Sequence, residues 1–290
     1  MKKRNHRMNF FYIPALLLIL FFVLGPLLEA IRISFTQWNG YSQDYKYIGW
    51  RNYLKLFQDP NFRTAFRNTI IYGFGSTLLQ NLLGLAYAVF LNTRFRGHSI
   101  VRTFIYMPVM ISSLIMGYII YFFVQYNGGI FNEIIGLFGK EPIDWMANGN
   151  RGVIIITLMN SWQYVGISMV IYMAGLQNIP KMYLEAAEID GASPWQRFCR
   201  ITLPLLLPSI SSAVVLNLIG GLKLYDIIIS LSEGGPGFST HSLASYVSNQ
   251  YFNAQNAGYS AAVGIFTFLF IMLVSNLFTT YFNRKEVDMG

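Results

Sequence analysis

Apolar residues run along this chain in six long stretches, each uncharged over about the length that a membrane helix needs. A helix takes about 20 residues to cross the hydrocarbon layer, where lipid offers no partner to a free backbone N–H or C=O. The stretches fall at about residues 9–28, 68–92, 103–125, 152–177, 203–222 and 258–282. The segments between them are too polar to cross. The pattern predicts an all-α polytopic membrane protein with six transmembrane helices, forming one transmembrane domain over residues 1–290.

The polar segment 178–202, between the fourth and fifth stretches, has its own internal pattern. Ile179-Pro180 predicts a helix start, with proline in the first turn where its missing N–H is no loss. The helix runs from Lys181 to Asp190, and Gly191 stops it by tolerating a left-handed backbone. Ser193 then serves as N-cap and Pro194 as first residue of a second helix through Arg200. Leu203-Pro204 ends that helix and opens the fifth span. Ala186 and Ala187 are small enough for another backbone to approach. Glu185 and Glu188 lie near that surface, within reach of basic groups on a partner. Trp195 and Phe198 are three apart and share a face. Such a helix suits docking in a groove. By these residues alone, a helix lying on the membrane surface or a DNA-reading helix-turn-helix also accounts for an isolated helix pair.

Composition agrees with membrane residence. The chain is 54% hydrophobic, 17% aromatic and 12% charged, about half the charge of a soluble domain. Its mean hydropathy is +0.41. The net charge of +8 is read as short basic loops that fix topology, and nucleic acid is not expected as a partner. With the N-terminus cytoplasmic, the inside segments carry Lys2, Lys3, Arg4 and Arg7, then Arg94, Arg96 and Arg102, then Lys181, Arg197 and Arg200, then Arg284 and Lys285. The first outside loop is also basic, but the inside segments are shorter and denser in charge. Both termini are therefore expected in the cytoplasm. The basic start and first apolar run imitate a secretory signal, yet no small-residue cleavage site follows, and a retained span is expected. Cys199 is the only cysteine, which excludes an intrachain disulfide and suits packing more than redox chemistry.

Chemistry of other kinds is not written here. No phosphate loop is present, since Gly139-Lys140 is followed by Glu141 without the upstream glycine spacing. His6, His98 and His241 are scattered and form no metal motif with one cysteine, so no metal or cofactor is expected. No nucleophile–histidine–acid motif appears, and the spans hold no carboxylate suited to a proton relay. No catalytic residue is assigned.

Residues 185–204 fill nearly every position of a known pattern: Glu185, Ala186, Ala187, Gly191, Ile201, Leu203 and Pro204. The segment resembles the EAA loop of permease subunits in binding-protein-dependent ABC importers. Two further stretches are similar to the carbohydrate group of that family. One is Ile48–Thr69, through Gly49, Asn52, Tyr53, Phe57, Asp59, Pro60, Phe62, Asn68 and Thr69. The other is 225–246, with Tyr225-Asp226, Gly234-Gly235-Pro236-Gly237, Thr240-His241-Ser242-Leu243 and Tyr246. The likeness is greatest to maltose-type and multiple-sugar permeases and covers Tyr47 to Tyr259. It implies an inner-membrane protein in which loop 178–202 seats in a cytoplasmic ATPase and couples ATP hydrolysis to alternating access. Glu185, Ala186, Ala187, Glu188, Gly191, Trp195 and Phe198 are then the coupling residues. The implied partners are a second permease subunit in a heterodimer, two copies of the ATPase and an extracellular or periplasmic substrate-binding protein.

The resemblance also implies a sugar or oligosaccharide as cargo. A sugar has many hydroxyls and apolar ring faces, so its path calls for amides, hydroxyls and aromatic rings. Trp162, Gln163 and Tyr164 in the fourth span and Asn217, Gly220, Gly221, Lys223 and Tyr225 around the fifth offer this set. An aromatic belt also accounts for Trp162 and Tyr164, and an interhelical hydrogen bond for Asn217. Glycerol phosphate or a uronic-acid oligomer is the alternative cargo; only Lys223 would meet its charge. A membrane-embedded enzyme or receptor is the alternative of another class.

Overall fold

The computed structural model describes residues 12–93 and 95–287 of the chain. The basic cluster at residues 2–7 and Arg94, both used above to orient the spans, lie outside the described residues. Four helices are long and apolar enough to cross a membrane: Tyr12–Ser34, Pro60–Leu91, Gly149–Gln177 and Ala257–Lys285. Two bent pairs bring the number to as many as six when each pair is counted as one span: His98–Met110 with Ser113–Val124, and Pro194–Leu205 with Leu207–Leu222. The described residues include two short strands, Thr36–Gln37 and Lys46–Tyr47, paired antiparallel.

The third expected span is two helices meeting at 102°. Pro108 lies in a tight turn, Met107–Met110, and Ile111 is extended at φ −83° and ψ 133°. Ser112 then caps the next helix by accepting from the Ile115 N–H. The break frees the Ile111 carbonyl, and the Gln163 side-chain amide donates to it at 3.0 Å. Irregular backbone at membrane depth needs such a partner.

Pro204 behaves differently from expectation. The helix begun at Pro194 continues past it to Leu205, and the bend of 66° follows there. A widened π turn at Phe198–Thr202 precedes the proline. It gives the pyrrolidine ring room against the carbonyl one turn earlier, so the helix is not broken. The second helix also starts earlier than the apolar run, at Pro60. Asp59 before it is extended, at ψ 114°, because a residue preceding proline avoids the helical region. Arg63 and Arg67 thus sit in this helix and not in a loop.

Among the described residues contacts form two compact units, one of residues 12–60 with Tyr246–Phe268, the other of Asn61–Ser245 with 269–287. In the first unit Asn52 is buried, and its amide donates to the carbonyls of Ser34 and Thr36 at 2.8 and 2.9 Å. The hydroxyls of Tyr246 and Tyr259 both donate to Asp59, at 2.7 and 2.6 Å.

In the second unit the second and fourth spans cross closely. A Cβ on Gly84 would lie 2.5 Å from the Cβ of Ser168. Gln80 donates to the Asn160 carbonyl at 3.1 Å, and Tyr172 donates to Asn81. Asn217 of the fifth span donates to the Ser168 hydroxyl at 2.6 Å. Side-chain hydrogen bonds of this kind hold helices together where lipid supplies no hydrophobic drive. The loop 239–243 rests on the second span in the same way. Asn68 donates to the carbonyls of Ser239 and His241, Tyr72 to that of Thr240, and the Leu243 N–H to Thr69. Two sequence signatures far apart in the chain thus meet.

Candidate functional site

Two places combine the chemistry singled out in the sequence. The first is the hairpin 178–202. Its first helix is Lys181–Ile189, with Pro180 as N-cap and not inside the helix. Asp190 closes it, and Gly191 follows at φ +77°. The Gly191 N–H bonds the Glu188 carbonyl at 3.1 Å and the Ala192 N–H bonds that of Ala187 at 2.9 Å. This paired closure requires a left-handed residue, and Gly191 meets no neighbour within 4 Å of a would-be Cβ, so conformation and not space dictates glycine there. Ser193 and Gln196 then cap the next helix reciprocally, at 3.3 and 2.8 Å.

An ion pair of 2.7 Å between Glu188 and Arg197 joins the two helices. Glu188 is therefore engaged within the hairpin. Glu185 is exposed and has no ion pair among the described residues. The two alanines also part company. Ala187 is 8% exposed and faces inward, whereas Ala186 faces out. Neighbours on a helix point about 100° apart, so both cannot share one surface. The outward face consists of Met182, Glu185, Ala186 and Ile189, at the spacing of one helical stripe. Ile189 is 86% exposed and Trp195 71%. The Trp195 ring stacks on Phe198 at 5.8 Å. Met182 and Ile189 were not singled out by sequence; the four- and three-residue steps from Met182 through Ala186 to Ile189 are the signal. Cys199 is half-buried in the π turn.

The second place is a cavity of about 290 Å³ within the second unit. Tyr164, Asn217, Gly220, Gly221 and Lys223 line it, as do Gln80, Asn160, Ser113 and Asp226. Of the sequence-derived path residues, Trp162, Gln163 and Tyr225 do not line it. Trp162 is 49% exposed, Gln163 is buried at the break in the third span, and Tyr225 stands at the N-cap of the short helix Asp226–Ser232. The Tyr164 hydroxyl pairs with that of Ser113 at 2.5 Å. Gln80 is buried and its Oε1 has no described donor. Gly220 opens directly on space, whereas a Cβ on Gly221 would lie 2.8 Å from the Tyr72 carbonyl. Gln80 and Ser113 come from other spans; the rotation of those helices, which sequence does not state, places them here. Among the described residues no group of histidine, cysteine or carboxylate side chains is arranged to hold a metal.

Membrane-length helices, two of them broken, with a cavity that carries amides and hydroxyls between them, are the architecture of a polytopic membrane protein. Residues 80–287 match the model of the binding-protein-dependent transport system inner membrane component family, and the chain belongs to that family. It is 32% identical over 273 residues to the trehalose/maltose transport system permease protein MalF of Thermococcus litoralis, covering 94% of this chain and 92% of that one. It is also 32% identical over 279 residues to the multiple sugar-binding transport system permease protein MsmF of Streptococcus mutans, covering 96% of each. The lactose transport system permease protein LacF of Rhizobium radiobacter is 32% identical over 293 residues, covering 98% and 96%. In fold the chain matches a subunit of a bacterial alginate ABC transporter solved with an alginate pentasaccharide-bound periplasmic protein. The TM-score is 0.84 at 22% identity, over 98% of this chain and 96% of that one.

Proposed function

We propose that this chain is a permease subunit of an ATP-driven importer for a neutral sugar or oligosaccharide, and that it forms half of the pore. The observation that carries the reading is the hairpin 178–202. It is capped at each helix start or end and clamped by Glu188–Arg197, so it moves as one body. Its second helix continues without a break into Leu205, next to the fifth span. A push on the outward stripe, Glu185, Ala186 and Ile189, is therefore passed to the spans. Exposed Ile189 and Trp195 call for a partner surface that covers them. The partner in this reading is a cytoplasmic ATPase, present in two copies, with the hairpin and both termini on its side. The full chain acts as one permease domain, beside a second permease subunit and below an extracellular or periplasmic binding protein.

The cavity supports the cargo assignment. It offers the amides of Gln80, Asn160 and Asn217, a hydroxyl pair and a tyrosine ring to a sugar, and Gln80 Oε1 is a ready acceptor for a hydroxyl. Lys223 is accompanied by Asp226, which leaves the lining without net charge. That favours a neutral sugar over glycerol phosphate or a uronic acid, in keeping with the sugars that the relatives' names print.

The test is affinity purification from the source membrane, followed by reconstituted uptake. An ATPase co-purifies with the wild type. Glu185→Lys and Gly191→Pro each lose ATPase association or ATP-driven uptake. Wild-type association and uptake in both variants overturns the coupling role.

A further inference from the structure

The second unit holds two adjoining recesses beside the hairpin, one of which shares Trp195 and Phe198 with the coupling surface. One, of about 780 Å³, is lined by Arg96, His98, Arg102 and Lys181 and by no acidic residue. These basic groups form no ion pair among the described residues. The helix His98–Tyr106 starts there on Gly97 without a side-chain cap, so its free N–H groups add positive potential. The other recess, of about 690 Å³, is an apolar groove along the second span and the hairpin, through Leu82, Leu85, Ala86, Val89 and Phe198. Asn92, Leu176 and Leu184 line both. A basic pocket at the end of membrane helices, sharing lining residues with an apolar groove along the last turns of the second span, matches one chemistry: a phosphate head on an acyl chain.

The geometry points to a binding site for an anionic phospholipid, with its headgroup phosphate among Arg96, Arg102 and Lys181 and an acyl chain in the groove beside Leu85 and Ala86. The basic recess alone would take free phosphate as well; the groove is what selects a lipid. Basic pockets between membrane helices attract anionic headgroups, and each cation near the surface contributes about fivefold in affinity. The bound lipid braces Leu184 and Phe198, hence the hairpin. This second, regulatory step rests on the coupling role proposed above, but lipid binding is measured without transport, so either can fail alone.

The experiment is native mass spectrometry of the full-length chain in detergent, titrated with dioleoyl phosphatidylglycerol, dioleoyl phosphatidylcholine and inorganic phosphate separately. Phosphatidylglycerol is expected to bind at least about tenfold tighter than phosphatidylcholine. The triple variant Arg96→Gln, Arg102→Gln, Lys181→Gln removes that preference, of order 100-fold for three cations. The variant Arg96→Lys, Arg102→Lys keeps charge and preference, which separates loss of binding from loss of fold. Ala86→Trp fills the groove and weakens phosphatidylglycerol but not phosphate. Equal binding of the two lipids, or an unchanged triple variant, overturns the site. So does an Ala86→Trp chain that binds phosphatidylglycerol as the wild type while phosphate displaces the lipid, which marks a free-anion site. A triple variant that sheds a co-purifying cytoplasmic protein while keeping its lipid preference marks a protein contact and also overturns it.

Discussion

At the residue scale, two adjacent glycines make opposite demands. Gly221 lies so close to the second span that an added Cβ would sit 2.9 Å from the Gly73 Cα and 2.8 Å from the Tyr72 carbonyl, both backbone. Gly220 meets nothing within 4 Å and faces the cavity. Gly221→Ala should therefore lower the thermal midpoint, with a destabilisation of about 1–3 kcal/mol from forced separation of the helices. Gly220→Ala should leave the midpoint within about 0.5 kcal/mol of wild type, while Gly220→Leu blocks uptake by filling the cavity. Equal thermal effects of the two alanines would show that the crossing is not as tight as described. His241 carries a second residue-scale consequence. It is 1% exposed, with Nδ1 on the Ser245 hydroxyl at 2.9 Å, and burial holds its pKa below the ordinary value of about 6.5. The folded chain thus keeps the ring neutral where the unfolded chain binds a proton. Stability from this group is intact above about pH 6.5 and is lost as pH falls through the lower, folded value. The thermal midpoint should fall between pH 7 and pH 5, and His241→Gln should flatten that slope. An unchanged slope in the variant would assign the acid sensitivity elsewhere.

At the element scale, proline shows why part of the fold was readable and part was not. The six apolar stretches were legible because lipid tolerates little besides a helix across its core. The bends were not, since Pro108 and Pro204 carry the same local signal with opposite outcomes. At Pro108 the chain turns through 102°, because Gln163 on another helix takes up the freed carbonyl. At Pro204 a π turn absorbs the ring and the helix goes on. Each outcome depends on atoms beyond the local window. The hairpin was the more legible site, since Ser193-Pro194 and Gly191 are local grammar. The inward turn of Ala187 and the engagement of Glu188 depend on where Arg197 lies, and sequence does not say that. Gln163→Leu should expose this logic: the half-buried Ile111 carbonyl loses its donor, for about 1–3 kcal/mol, and the thermal midpoint falls. Gln163→Met, which keeps the length of the side chain but has no donor, should behave likewise. A midpoint unchanged in both variants would mean that the bend does not need this bond.

At the scale of the whole molecule, the coupling role is a statement about sides. The hairpin must share a side with Arg96, Arg102 and Lys181, and the segment between the third and fourth spans must lie opposite. Basic residues near span ends set orientation, and here the segment after the first span carries Arg and Lys as well as the segments expected in the cytoplasm. Exposed positions resolve it directly. Ala186 lies on the outward stripe of the hairpin, and Glu141 is exposed beyond the third span. In a Cys199→Ser background, Glu141→Cys should react with a membrane-impermeant maleimide on intact cells. Ala186→Cys should react only in inverted vesicles or after the membrane is opened. Because one chain carries both sites on consecutive sides of the fourth span, the two results must differ whichever way the protein is inserted. A reversed pair would put the hairpin where no cytoplasmic ATPase can reach it, and the same pattern at both sites would remove the fourth span itself.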